Sequence, residues 1–170
     1  MMKYLFLDID GVLNHEEWYK KRIKYYKDTF TCWEQECFDP DCVARVNTIL
    51  NETGARLVVS SSWRLDLKLA SIFSLIGLPT DFDVTPTGNI YTGDCYDSRG
   101  EEIEEFLKEN PCDQYVILDD DRDFNEEQLN EHFVHCCADY IQALYEGNEG
   151  QTGLTDSKMK EAIRILNKVQ

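Results

Sequence analysis

The chain is poor in positive charge: 17 lysines and arginines against 33 aspartates and glutamates leave a formal net charge of −16. Sequence-independent binding to nucleic acid or anionic membrane is built on basic contacts to phosphate, so this balance excludes it as the main activity. A nucleic-acid end held by one local patch stays open. No uncharged run approaches the roughly 18 residues of a membrane span; the stretch from Leu69 to Thr80 has twelve. Lys3 is followed by only four uncharged residues before Asp8, too few for the apolar core of a secretion signal. These features predict a soluble, cytoplasmic protein. None of the seven cysteines (32, 37, 42, 95, 112, 136 and 137) makes a Cys-x-x-Cys pair, which removes the zinc-ribbon and thioredoxin patterns. The even spacing of Cys32, Cys37 and Cys42 matches no common zinc module. His132, His135, Cys136 and Cys137 surround Phe133 and Val134 and read as a core strand. Structural thiols without disulfides are expected in a reducing compartment. No repeat and no linker divides residues 1–170, so one domain is expected, with an apolar fraction of 42% sufficient for a core.

What is present begins with residues 4–14, YLFLDIDGVLN. An apolar run typical of a fully buried strand stops at Asp8 and Asp10, and Gly11 permits a tight turn. Open parallel sheets place their ligands at the C-terminal ends of strands. Two acids held there are costly unless compensated, and a hard divalent cation is the usual compensation. A calcium loop of the EF-hand type fails at once, because it needs an acid or amide at Val12 and glycine at Leu13. The acids after Leu118 fail the same test, with Phe124 at the glycine position and Asn130 at the bidentate glutamate position.

Strand patterns alternate with amphipathic helices, which predicts an α/β fold around a central parallel sheet. Strands are expected at Lys3–Asp8, 55–60, near Phe82–Thr85, at Tyr115–Leu118 and near His132–Cys136. Asp39-Pro40 starts a helix that Gly54 closes. A continuous helix is expected from about Trp63, capped by Ser62, to Ile76. Ser98 and Glu101 form a capping box for another. A short helix is expected near Asn125–Asn130, a loop over 138–153, and a last helix after Thr155.

Four points of chemistry then fall at strand ends or helix starts: Asp8 with Asp10, Ser60 with Ser61, Arg99, and Asp119 with Asp120, Asp121 and Asp123. This set suits transfer of a phosphoryl group from a monoester. One carboxylate can attack phosphorus, a second can move the proton, and a cation with a basic side chain can neutralise the equatorial oxygens.

The segments FLDIDGVLN, FDPDCV, LVVSSSWR, SRGEEIEEFL, YVILDDDRDF and TGLT resemble the haloacid dehalogenase-like (HAD) superfamily. More closely, they resemble the small HAD domains of RNA-repair ("Swiss Army Knife") proteins, and they span roughly residues 3–168. The resemblance implies a three-layer Rossmann-like fold with a short cap and a Mg²⁺-dependent phosphatase working through an aspartyl-phosphate. It implies Asp8 as nucleophile and metal ligand, Asp10 as general acid/base with its backbone carbonyl on the metal, and Ser60 on the phosphoryl group, with Ser61 as the fallback because the triple serine blurs the register. Arg99 would replace the lysine usual at that place, a good phosphate ligand in its own right. Asp119 would complete the Mg²⁺ site, assisted by Asp120 or Asp123.

The insert at 14–38, beside the nucleophile, is the expected cap. Lys20, Lys21 and Arg22, with Lys24, Lys27 and neighbouring tyrosines, make it the most basic stretch and the candidate substrate-selecting segment. Solvated lysines on an amphipathic helix are the plainer account of the same residues. His15, Trp18 and Trp33 are further possible contacts. The expected substrate is a nucleotide or a nucleic-acid terminal phosphate. The alternatives are a small-metabolite phosphatase of broad specificity and a non-catalytic module that binds Mg²⁺ or a partner.

Overall fold

The computed structural model describes residues 2–25, 36–87, 96, 98–145, 147 and 150–168. Its centre is a five-stranded sheet in the order β3-β2-β1-β4-β5, with every pairing parallel. The strands are β1 (Lys3–Leu7), β2 (Arg56–Val59), β3 (Asp83–Val84), β4 (Gln114–Asp119) and β5 (Phe133–His135). The chain builds outward from β1 to β2 and β3, then returns to place β4 on the other side of β1. The carboxyl ends of β1 and β4 therefore form the switch point at which such sheets bind ligands.

Side chains alternate across the sheet and build a core on each face. Leu5, Leu7, Leu57, Val59, Val116 and Leu118 face one side, where they meet helices α2 (Pro40–Thr53), α3 (Leu69–Ile76) and α6 (Asp156–Leu166). Tyr4, Phe6, Val58 and Ile117 face the other, against Ile103 and Phe106 of α4 (Arg99–Glu109). Phe106 packs edge-on to Tyr4 and Phe6, with ring centroids 5.3 and 5.5 Å apart, a preferred geometry for such pairs. Asp8 continues the register of Tyr4 and Phe6, and Asp119 continues that of Ile117. Both acids therefore leave their strands on the side where α4 begins.

The capping signals act as expected. Asp39 accepts a hydrogen bond from Asp41 N at 2.9 Å, and Gly54 takes φ 66° to end α2. Ser98 accepts from Glu101 N at 3.2 Å at the start of α4. Four expectations need correction. The helix from Trp63 to Ile76 is broken into a 3-10 turn (Ser62–Leu65) and α3. Asp66 takes an extended conformation and accepts from Lys68 N at 2.8 Å, so its side chain competes with helical pairing. The cap of the 3-10 turn is Ser61, not Ser62. The short helix of 125–130 runs on as a π-turn over Gln128–His132, which leaves β5 only Phe133–His135. The loop of 138–153 contains a helix, α5 (Tyr140–Tyr145), and its base is closed by Gly153 N donating to Cys137 O at 2.8 Å.

The cap segment begins as α1 (Glu16–Tyr25); Tyr26, Lys27, Cys32 and Trp33 lie outside the described residues, as does Cys95. No disulfide joins Cys37, Cys42, Cys112, Cys136 and Cys137 to one another. Among the described residues no helix is long and apolar enough to cross a membrane.

Candidate active site

Adjacent parallel strands bring Asp8 and Asp119 to the same level, fixed by Asp8 N donating to Leu118 O at 2.9 Å. Both side chains are buried. Arg99, the first residue of α4, reaches between them: its Nη1 donates to Asp8 Oδ1 at 2.6 Å and to Asp119 Oδ2 at 2.7 Å. Asp123 seats the start of α4, accepting from Arg99 N through its side chain at 3.1 Å and from Gly100 N through its carbonyl at 3.0 Å. Gly100 is required here, since a Cβ would lie 2.5 Å from Gln128 Oε1.

Asp120 completes the cluster: one carboxylate oxygen from each of Asp8, Asp119 and Asp120 lies within 4.8 Å of the others. Gly11 makes room for it, because its φ is +75° and a Cβ there would come 2.3 Å from Asp120 Cγ. Burial pushes the Asp8 carboxyl up, opposed by the Arg99 guanidinium and a hydrogen bond from Ser61. Burial and the neighbouring Asp8 push Asp119 up to about 7, and the same two causes take Asp120 to about 6. Two buried acids and one half-buried acid facing one guanidinium form a site short of positive charge. Hard oxygen donors in that state suit Mg²⁺, which Asp8, Asp119, Asp120 and the Asp10 carbonyl would hold.

Asp10 is exposed, and both its oxygens are held. Asn14 Nδ2 donates to Oδ1 at 2.7 Å and Trp63 Nε1 to Oδ2 at 2.9 Å. Asn14 also closes the turn after β1, accepting from Gly11 N at 3.0 Å. These two clamping residues were missed in the sequence. The asparagine four residues after Asp10 was a local signal, whereas the tryptophan lies 53 residues away.

The two serine candidates divide. Ser61 lies beside Asp8, where its hydroxyl favours the ionised carboxylate, and its Oγ accepts from Trp63 N at 3.4 Å. Ser60 is fully buried, and its Oγ has no partner among the described residues. Arg64, also missed, ties the serine loop to α4. Its Nη1 donates to the carbonyls of Ser60 and Ser61 at 2.6 and 2.8 Å, and its Nη2 meets both oxygens of Glu102 at 2.8 Å. Burial lowers the Arg64 pKa and raises that of Glu102 despite the pairing. The pair therefore fixes geometry more than it stabilises the fold. Arg64, Glu102, Arg99, Tyr96 and Ser62 line a cavity of about 300 Å³ beside Arg99.

Lys20, Lys21 and Arg22 of the cap are engaged near their own helix. Lys20 and Lys21 pair with Glu16 and Glu17 one turn back. Arg22 donates to Glu36 O at 3.1 Å and lies over the Tyr19 ring. Trp18 Nε1 donates to the same Glu36 carbonyl at 3.1 Å. His15 is buried against Asp39 and Thr152.

An all-parallel sheet with an aspartate from each of two adjacent strand ends, bridged by a helix-borne cation at the switch point, is the arrangement of HAD-type hydrolases. The chain belongs to the family described as the HAD domain in Swiss Army Knife RNA repair proteins, which matches residues 4–140. Membership points to phosphatase-type hydrolase chemistry on a phosphorylated substrate, in a family that generally uses Mg²⁺. No curated protein and no solved structure gives a match.

Proposed function

We propose that the protein is a Mg²⁺-dependent phosphomonoesterase that removes a terminal phosphate from a nucleotide or a nucleic-acid end through an aspartyl-phosphate on Asp8. The observation that carries this reading is the single Arg99 guanidinium shared by Asp8 and Asp119 at the mouth of the sheet. A phosphoryl group bound there would meet a nucleophile on one side and a fixed cation on the other. Bound Mg²⁺ would neutralise charge on the phosphoryl oxygens and on the carboxylates around them.

The Asp8 carboxylate attacks phosphorus, and the ester P–O bond breaks. The leaving oxygen takes its proton from Asp10. Each carboxyl oxygen has two lone-pair positions, so a proton on one leaves the bonds from Asn14 and Trp63 in place. In the second half Asp10 removes a proton from water, the water oxygen attacks phosphorus, and the bond to Asp8 breaks to give inorganic phosphate. Arg99 stabilises the equatorial oxygens in both halves, and its fork suits them better than a point charge. Ser61, beside Asp8, contacts the phosphoryl group, while Arg64 holds the serine backbone. Ser60, Lys20, Lys21 and Arg22 remain proposed substrate contacts of the serine loop and cap.

The family description supports the nucleic-acid end, and the cavity beside Arg99 leaves room for a leaving group larger than a sugar. The test is Mg²⁺-dependent phosphate release from mononucleotides, sugar phosphates and 3′- or 5′-phosphorylated oligonucleotides by the wild type and by Asp8→Asn. Turnover that chelator and Asp8→Asn both abolish, fastest on an oligonucleotide or nucleotide, is expected. Turnover that survives in Asp8→Asn would remove the covalent mechanism, and a preference for sugar phosphates would move the substrate to small metabolites.

A further inference from the structure

A second group of ligating side chains lies apart from the carboxylate cluster. His15 follows the β1 turn, Asp39 caps α2, and Cys42 sits in the first turn of that helix. All three side chains are buried, with exposures of 4, 6 and 1%. Their donor atoms converge: His15 Nε2 is 2.9 Å from Asp39 Oδ2 and 3.7 Å from Cys42 Sγ, and all three lie within 4.8 Å of one another. A tetrahedral zinc with bonds of about 2.0 Å to nitrogen and oxygen and 2.3 Å to sulfur requires N–O and N–S separations of about 3.3 and 3.5 Å. The observed pair of distances is within a few tenths of an ångström of both.

Two of the ligands are also held from behind, as metal ligands are: His15 Nδ1 is 2.7 Å from Thr152 Oγ1, and Asp39 Oδ1 accepts from Asp41 N at 2.9 Å. In the metal-free protein the Cys42 thiol donates to Leu154 O at 3.5 Å. The His15 ring is packed against Gly153, where a Cβ would lie 2.4 Å from its Cδ2. The three residues line a cleft of about 390 Å³, which gives an ion a way in.

We propose that His15, Asp39 and Cys42 form a zinc site, distinct from the Mg²⁺ site and with one coordination position left toward the cleft. The donors decide the metal class: an imidazole and a thiolate favour zinc over Mg²⁺ or Ca²⁺, which take oxygen. Binding takes Cys42 as the thiolate, so the thiol proton is released. With the ion bound, Nε2 faces the metal and the imidazole proton sits on Nδ1, where the Thr152 hydroxyl accepts it. Burial and the Asp39 carboxylate push the Cys42 thiol up to about 12, and a divalent cation between them reverses the second cause. Because Asn14, the clamp on Asp10, immediately precedes His15, the ion would anchor the end of the turn that positions the general acid.

The site is independent of the phosphatase reading, and its test reads the metal rather than turnover. Metal-free full-length protein is titrated with Co²⁺, the spectroscopic stand-in for Zn²⁺. One equivalent is expected to give a thiolate-to-cobalt charge-transfer band that Zn²⁺ displaces and excess Mg²⁺ does not. Cys42→Ser and His15→Gln are expected to lose the band, and Asp119→Asn to keep it. Absence of the band in folded wild type, or its survival in Cys42→Ser, overturns the proposal. X-ray absorption at the zinc edge of the wild type needs no variant to fold: a shell of one sulfur with nitrogen and oxygen supports the site, and a sulfur-free shell overturns it.

Discussion

Two clusters of three ligating residues, one on each side of the turn after β1, are unlike in chemistry. Asp8, Asp119 and Asp120 are all carboxylates, and Arg99 supplies the cation they share. His15, Asp39 and Cys42 are a nitrogen, an oxygen and a sulfur, and hydrogen bonds to one another and to Thr152 and Leu154 satisfy them. The first cluster carries excess negative charge in a buried place, and it raises the pKa of every acid in it. The second holds one carboxylate among hydrogen-bond donors, and it lowers the pKa of its acid. Burial pushes Asp39 up, but the hydrogen bonds from His15 and Asp41 N outweigh it. The lesson is that burial alone does not mark a site for chemistry; uncompensated charge does.

The largest effect expected from this comparison is at Asp119. In chelator near pH 8, Asp119→Asn should be more stable than the wild type by about 1–3 kcal/mol, because a crowded buried charge is removed and its shape retained. The same variant should lose most of the thermal stabilisation by Mg²⁺ and at least about 100-fold in turnover. Thermal melts with and without Mg²⁺ check the first two statements, and a lower metal-free melting temperature would break the contrast.

A middle-sized effect is expected at the clamp on Asp10. Trp63→Phe removes the bond from Nε1 at 2.9 Å while leaving most of the ring that packs on Phe38. Turnover should fall about tenfold, equivalent to about 1.4 kcal/mol, with a changed pH–rate profile and little change in melting. An unaltered profile would show that Trp63 only packs.

The smallest effect falls in the mixed cluster. Asp39→Asn should destabilise metal-free protein by about 1 kcal/mol at neutral pH, opposite in sign to Asp119→Asn. The folded pKa of Asp39 lies below its ordinary value of 3.8. Its ionised form therefore stabilises the fold above that value, and the contribution is lost as pH falls through the folded pKa. Denaturant melts of the pair should differ fully above pH 3.8 and draw together only as pH falls below it; a difference that stays constant with falling pH would locate the stabilisation elsewhere.

Much of this molecule is legible along the chain. Apolar runs that end in acids give β1 and β4, and the caps Asp39, Ser98 and Thr155 start their helices where local backbone chemistry places them. Alternation along β1 and β4 also settles which face Asp8 and Asp119 share. The broken helix after Ser61 was not legible, because apolar periodicity does not register Asp66 turning back on its own backbone. Nor was the helix inside 138–153, whose exposed Tyr140, Ile141 and Leu144 give no clean amphipathic stripe. What the sequence determines by itself is local: strand, turn, cap and the identity of the acids, since these depend on neighbours a few residues away. What only tertiary structure decides is convergence. Arg99 between Asp8 and Asp119, Trp63 on Asp10, and His15 on Asp39 and Thr152 join residues 20 to 137 positions apart. Such contacts follow from strand order and helix docking, which arise from burial of both sheet faces and not from local pattern.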